Sequence, residues 1–141
     1  MSQPRTMRAN GTINVSRFVK IDTTDNNSVL ECGANEKAFG IAQAGGREAP
    51  IPSVTADPVE AANDGDNVQV HTLGAECLLV IGAGGCTAGD YLKSDASGGG
   101  VAIASTQGLL ENVGAIALET ASAAELALVQ VHIFTNTVDK T

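Results

Sequence analysis

The sequence predicts an all-β protein, a small β-barrel or sandwich with an extended N-terminal arm and one long proline-containing loop. Three observations lead there. Apolar and polar residues alternate with period 2 along most of the chain, and helical periodicity is scarce. Glycine, asparagine and aspartate punctuate the alternation at short intervals. The length, 141 residues, suits one domain that buries roughly two-thirds of its unfolded surface.

Taken in order, Ile13, Val15, Val19 and Ile21 share one face of a first strand, with Arg17 the exception on that face and Asn14, Ser16 and Lys20 on the other. Val29 to Cys32 and Ala38 to Ala42 read as two more strands, joined by the turn-rich Gly33-Ala34-Asn35-Glu36. Residues 44–66 break the rhythm. They hold Pro50, Pro52 and Pro58, and Pro50-Ile51-Pro52 is extended by the fixed φ of proline and unable to donate ladder bonds, as suits a strap lying over a surface. Within this loop, Asp57-Pro58-Val59-Glu60 followed by Ala61-Ala62 carries an N-cap acid, a first-turn proline and a third-position glutamate, which predicts about one or two helical turns.

The strands return at Val68, Val70 and Thr72, which alternate with Gln69 and His71. Cys77 to Ile81 is wholly apolar, as expected of a strand covered on both faces. Gly82-Ala83-Gly84-Gly85 turns the chain, and Asp90 to Lys93 resumes it. Asp95 to Gly100 forms a hairpin tip before Val101 to Ala104. Val113 to Leu118 and Leu126 to Phe134 are the last strands; the latter puts Ala127, Val129, Val131 and Ile133 on one face and Leu126, Leu128, Gln130, His132 and Phe134 on the other. Ser122-x-x-Glu125 between them has the form of a capping box with room for one turn. The expected total is about eight or nine strands.

Composition narrows the function. The chain has 43% hydrophobic residues but only four aromatic ones and no tryptophan, while 21 alanines and 16 glycines supply little apolar surface each. A core built from them is thin at about 25 cal/mol per Å², which favours a subunit that completes its burial with neighbours. Net charge is −8, unevenly spread: Arg5, Arg8, Arg17 and Lys20 stand among residues 1–20 without an acid, and all the acids follow. An acidic body repels phosphate, so a nucleic-acid partner is not expected. The basic arm, residues 1–17 ahead of a β domain over 18–141, reads either as a contact for an acidic protein surface or as a solvated terminus. No apolar run is long enough to span a bilayer, and the opening Met1-Ser2-Gln3-Pro4-Arg5 lacks a secretory apolar segment, so no membrane partner and synthesis in a reducing cytoplasm are expected. Cys32, Cys77 and Cys86 have no C-x-x-C spacing and read as buried thiols.

Motifs for chemistry fail on context. Leu79-Val80-Ile81-Gly82-Ala83-Gly84-Gly85 looks like a dinucleotide-binding turn, but strand and turn residues follow where a helix N-terminus would be needed. Gly84-x-x-x-x-Gly89 has phosphate-loop spacing, yet Asp90 stands where the lysine belongs. His71 and His132 lack ligand-spaced partners, no G-x-S-x-G elbow occurs, and Asp64/Asp66 lacks calcium-loop spacing. The expectation is a non-enzyme without catalytic residues, cofactor, metal or small-molecule substrate.

Several segments carry a family resemblance: Met1-Ser2-Gln3-Pro4-Arg5-Thr6, Arg17-Phe18-Val19-Lys20-Ile21-Asp22, Gly40-Ile41-Ala42-Gln43 leading to Arg47-Glu48-Ala49-Pro50-Ile51-Pro52, Gly89-Asp90-Tyr91-Leu92-Lys93-Ser94-Asp95-Ala96, and Gly114-Ala115-Ile116-Ala117-Leu118-Glu119 with Val129-Gln130-Val131. In these the chain resembles the capsid cement, or head decoration, proteins of tailed bacteriophages. The resemblance implies a β-tulip-like fold, a homotrimer bound to the major capsid protein on the outer surface of an expanded head, and reinforcement of that head against internal DNA pressure. On that reading Arg5, Arg8, Arg17, Pro50 and Pro52 are the candidate capsid contacts. A tail or baseplate β domain and a non-catalytic accessory barrel of an enzyme are the other classes compatible with the residues.

Overall fold

The computed structural model describes residues 5–45, 60–62, 65–103 and 110–137, and within them the chain is all β. A closed barrel is formed by β1 (Arg5–Ala9), β3 (Arg17–Ile21), β4 (Ser28–Glu31), β5 (Gly40–Gly45) and β7 (Asn67–His71), in the order β1-β4-β3-β5-β7. A short ribbon of β2 (Ile13–Asn14) and β6 (Glu60–Ala62) lies beside it, with Ile13 in the barrel core. The rest of the chain forms a five-stranded antiparallel sheet: β8 (Glu76–Val80), β9 (Tyr91–Ser94), β10 (Gly100–Ala102), β11 (Leu110–Ala117) and β12 (Leu126–Thr137), in the order β10-β9-β11-β12-β8. Its two edges meet where Ile81 bridges Gly100 and the Gly82 N–H donates to the Gly100 carbonyl at 2.8 Å. The sheet therefore curls, and each edge is protected at this point from pairing with another chain.

Two cores result. Met7, Ala9, Val19, Val29, Ala42, Val68 and Val70 fill the barrel. Phe18, Cys32 and Ile41 point the other way, off the barrel wall, and pack with Cys77, Leu79, Ile81, Leu92 and the small residues Ala115, Ala117, Ala127 and Val129 of the sheet. Consecutive residues of β3 thus serve different cores, Phe18 the second and Val19 the first, because side chains alternate along a strand.

The ring of Phe18 lies against the backbone of β11 at Gly114, where a Cβ would stand 2.6 Å from Cε1. A register shift between Val113 and Ala115 marks a bulge at this glycine. The bulge exchanges the faces of β11: Ala115 pairs with Leu92 and Val131 over the core, whereas Val113 pairs with Lys93 and Phe134 on the far side. Asn112 is consequently aimed at the barrel, its N–H donating to Asn35 Oδ1 at 2.9 Å and its Nδ2 to the Asn35 carbonyl at 2.8 Å.

Six expectations are corrected. The arm expected over residues 1–17 is a barrel strand from Arg5 to Ala9, paired with β4 in parallel and β7 in antiparallel fashion, so the domain does not begin at residue 18. The single strand over Ile13–Ile21 is broken at Ser16, which adopts a left-handed φ of 60°, donates its N–H to Ala42 and accepts from Val80. Ile21, the last residue of β3, is exposed although Val19 two residues before it is buried in the barrel. The run Cys77 to Ile81 is covered on one face only, since Leu78 is 41% exposed. Glu60–Ala62 is a strand paired with β2, and the remainder of the expected helix, Asp57 to Val59, lies outside the described residues. Ser122 to Glu125 forms a turn in which the Glu125 carboxylate accepts from the Ser122 N–H, as a capping box would, without continuing into a helix. Among the described residues twelve strands form in place of the expected eight or nine, because the short β1 and β6 carry too few alternating residues to announce themselves and the Ser16 break separates β2 from β3.

Packing against Gly114 sets a steric test. Gly114→Ala should destabilise the fold by about 1 to 3 kcal/mol through overpacking, and Phe18→Ala by about 3 to 5 kcal/mol through cavity formation. Urea unfolding of the two variants and of Gly114→Ala/Phe18→Leu checks the contact: the smaller ring-free side chain should recover part of the Gly114→Ala loss, and strictly additive losses would disprove it.

Candidate interaction surface

The three arginines do not gather into one patch. Arg5 and Arg8 are exposed on β1, where Arg8 sits between Ser28 of β4 and Asn67 of β7. Arg17 is two strands away and half-buried. Its Nη1 donates to the Ser97 carbonyl at 2.9 Å, and its Cβ is 3.1 Å from the position a Cβ would take on Gly98, which itself needs a φ of 82°. Arg17 therefore ties the barrel to the β9–β10 hairpin. Pro50 and Pro52 lie outside the described residues.

Elsewhere charge is held locally. Asp22, buried beside the barrel, accepts from the Thr24 N–H at 2.9 Å, from the Thr24 hydroxyl at 2.8 Å and from Asn10 Nδ2. The Thr24 backbone bond, followed by the Asn10 and Thr24 side-chain bonds, holds its carboxyl below the usual carboxylate range. Glu36 is lowered likewise by Lys20 and by the Gly33 N–H, which donates at 2.6 Å. Glu111 is buried and pairs with Lys93 Nζ at 2.6 Å across neighbouring strands. Lys20, Ile21, Lys37, Phe39 and Ile133 line a shallow groove of about 540 Å³. Burial pushes the Cys32 and Cys77 thiols up to about 12, and raises Cys86 too. All three cysteines are buried and free. Among the described residues no group of three or more His, Cys, Asp or Glu is placed to hold a metal ion.

Among the described residues, exposed Leu78, Tyr91, Leu118, Leu126 and Leu128 gather on the outer face of the five-stranded sheet. Leu128 of β12 stands directly opposite Leu78 of β8, and Leu126 opposite Val80. Leu118 adjoins them, its N–H donating to the Leu128 carbonyl at 2.9 Å. Ile116 links this row to Tyr91 of β9. At one end Tyr91, His132 and Phe134 form an aromatic cluster, with Tyr91 and Phe134 edge to face at 5.1 Å and His132 and Phe134 at 5.2 Å. Sequence reasoning placed Leu126, Leu128, His132 and Phe134 together on one face of a strand. It missed the surface because the apolar run around Leu78 looks the same whether one face or both are covered.

The class of protein that this architecture defines is an all-β one: a closed five-stranded barrel with a curled antiparallel sheet packed on its wall. No protein-family model matches the chain, and no curated protein matches its sequence. Among solved structures the chain is similar to the N base of the head fiber gp8.5 of bacteriophage phi29, with a TM-score of 0.52 and 21% identity over 92% of each chain. At that identity the similarity shows a shared fold over nearly the whole chain.

Two measurements follow from the electrostatics. Asp22 and Glu36, held low in the folded state, stabilise it above the unfolded carboxylate value of about 4. That contribution is lost as pH falls through their lowered folded values. His71, whose pKa is lowered by burial, adds to the loss because the unfolded chain takes up its proton first, near pH ~6.5. Thermal melts should thus show a falling midpoint from about pH 6.5 to below about 4, with a shallower acid limb for Asp22→Asn. Thiol titration should find the native protein slow to react and all three cysteines labelled after denaturation; rapid native labelling would contradict their burial.

Proposed function

We propose that this chain is a bacteriophage virion protein that decorates the outer surface of the expanded head, made in the host cytoplasm, bound to the major capsid protein as a homotrimer, and acting as a cement that resists internal DNA pressure. It works by binding, without catalysis or cofactor. The observation that carries the reading is the fold shared with a head-fiber base over 92% of both chains. The segments resembling cement proteins support it independently. Multivalent attachment to a symmetric lattice gives avidity from contacts that are individually weak.

The neighbour's name favours one variant of the reading, a base that anchors a longer appendage to the head. The two differ in what they do to the shell: a cement raises its resistance to disruption, whereas a fiber base only occupies it.

Arg5 and Arg8 are the capsid contacts that remain accessible. Removing the N-terminal segment would also remove a barrel strand, so charge reversal is the cleaner test. Wild-type protein should co-sediment with expanded heads of its own phage and not with unexpanded ones, and should raise their heat resistance. Arg5→Glu/Arg8→Glu should lower occupancy roughly tenfold at low salt, with a smaller effect at high salt as the contact is screened. Equal binding to both head forms, or none to either, would sink the proposal; binding without stabilisation selects the fiber base.

A further inference from the structure

We infer that copies of this chain meet on the outer face of the five-stranded sheet, around Leu78, Leu118, Leu126 and Leu128. The inference rests on the homotrimer proposed above and assigns its surface.

The size pattern on β12 is the first ground. The small residues Ala127, Val129 and Val131 face the internal core, fully buried, while the larger Leu126 and Leu128 face outward, 49% and 36% exposed. Leu78 and Leu118 add 41% and 42% exposure on the same face, and Tyr91 40%. Burying one leucine side chain stabilises by about 1.5 to 3 kcal/mol. The strand thus holds its bulkier apolar groups where only association buries them.

Area and charge identify the occupant. Four strands spaced about 4.8 Å apart, crossed by β12 from Leu126 to Phe134 at about 3.3 Å per residue, span roughly 550 Å² in plan. With a polar rim this approaches the ~800 Å² per partner of a standard interface. The chain carries a net charge of −8, so two copies repel over most of their surfaces. On this face Glu111 is neutralised by Lys93, and Glu76 lies toward one end, opposite Gln130. The leucine side chains between are uncharged, and the one carboxylate beside them, Glu119, is engaged by the Leu128 N–H, which donates to its Oε1 at 2.9 Å. A basic partner gains most on the acidic surfaces, whereas a second copy of an acidic chain is best accommodated here. Three such faces around a threefold axis would enclose a common apolar core.

Light scattering on the full chain tests this. Wild-type protein should have three times the monomer mass at tens of micromolar, and Leu78→Lys/Leu128→Lys should be monomeric with an unchanged circular dichroism spectrum, since both side chains are already solvent-exposed in one copy. Leu126→Lys, a single change at the most exposed leucine of the row, should weaken association at least tenfold and gives a second reading independent of how the double variant folds. Ile21→Lys, exposed on the barrel, should leave the oligomer intact. A monomeric wild type, or an oligomer that survives both leucine variants, overturns the inference. Head co-sedimentation separates it from the functional reading: an oligomer dissolved by these substitutions that binds no heads upholds the face and rejects the cement, while a monomer that binds heads does the reverse.

Discussion

The aromatic ring of Phe18 against the backbone of Gly114 is the contact on which the two halves of the molecule depend. β3 is a barrel strand whose next residue, Val19, fills the barrel. Turning Phe18 outward makes the barrel wall one layer of a second core. The ring fits only because β11 carries no side chain at Gly114, and the bulge there redirects everything before it. Asn112 reaches the barrel and bonds Asn35, while Val113 and Glu111 pass to the other face. One glycine thereby fixes both the packing of the sheet on the barrel and the position of the buried Lys93–Glu111 pair.

Polar joints then set the relative position of the layers, which apolar packing alone leaves less specific. The Phe18 N–H donates to the Gly98 carbonyl at 2.8 Å, and Ser16 bonds β5 through its N–H and β8 through its carbonyl. Arg17 adds a charged donor to Ser97. These bonds link the β2–β3 corner to β5 and to both edges of the second sheet, β8 and the β9–β10 turn, so the segment 16–18 is bonded from several directions. A buried ion pair such as Lys93–Glu111 adds little net stability because desolvation offsets its attraction. Its loss on one side leaves an uncompensated charge, so it acts more as a constraint on register than as a source of stability.

Much of this was legible where a strand repeats its pattern long enough. Val68/Val70 and the alternation from Leu126 to Phe134 were read with the correct faces. β1 was not, because only Met7 and Ala9 are apolar and buried, and three of its five residues, Arg5, Thr6 and Arg8, are polar. A basic stretch that is half of a barrel strand resembles a loose arm. The Ser16 corner was hidden for another reason: a left-handed residue there carries neither the glycine nor the asparagine that usually marks it. For the candidate surface, the sequence identified the exposed side of β12. The neighbours that turn it into a surface come from β8 and the end of β11, and that adjacency is a matter of topology.

The scarcity of large side chains acquires a positional meaning once the layers are known. Ala115, Ala117 and Ala127 line the sheet where it approaches the barrel wall, and the cysteines beside them are buried thiols of modest size. Such residues permit close approach but contribute little transfer free energy each. The one bulky aromatic in that layer is Phe18, which explains why its accommodation governs the whole arrangement. Leu78, Leu118, Leu126 and Leu128, which could have thickened the core, are directed away from it, on β8, β12 and just past the end of β11. A chain selected only for the stability of an isolated subunit gains nothing from that distribution. One whose working form is an assembly gains a thin, closely packed interior that fixes the geometry of the sheet, and a leucine face ready to be covered.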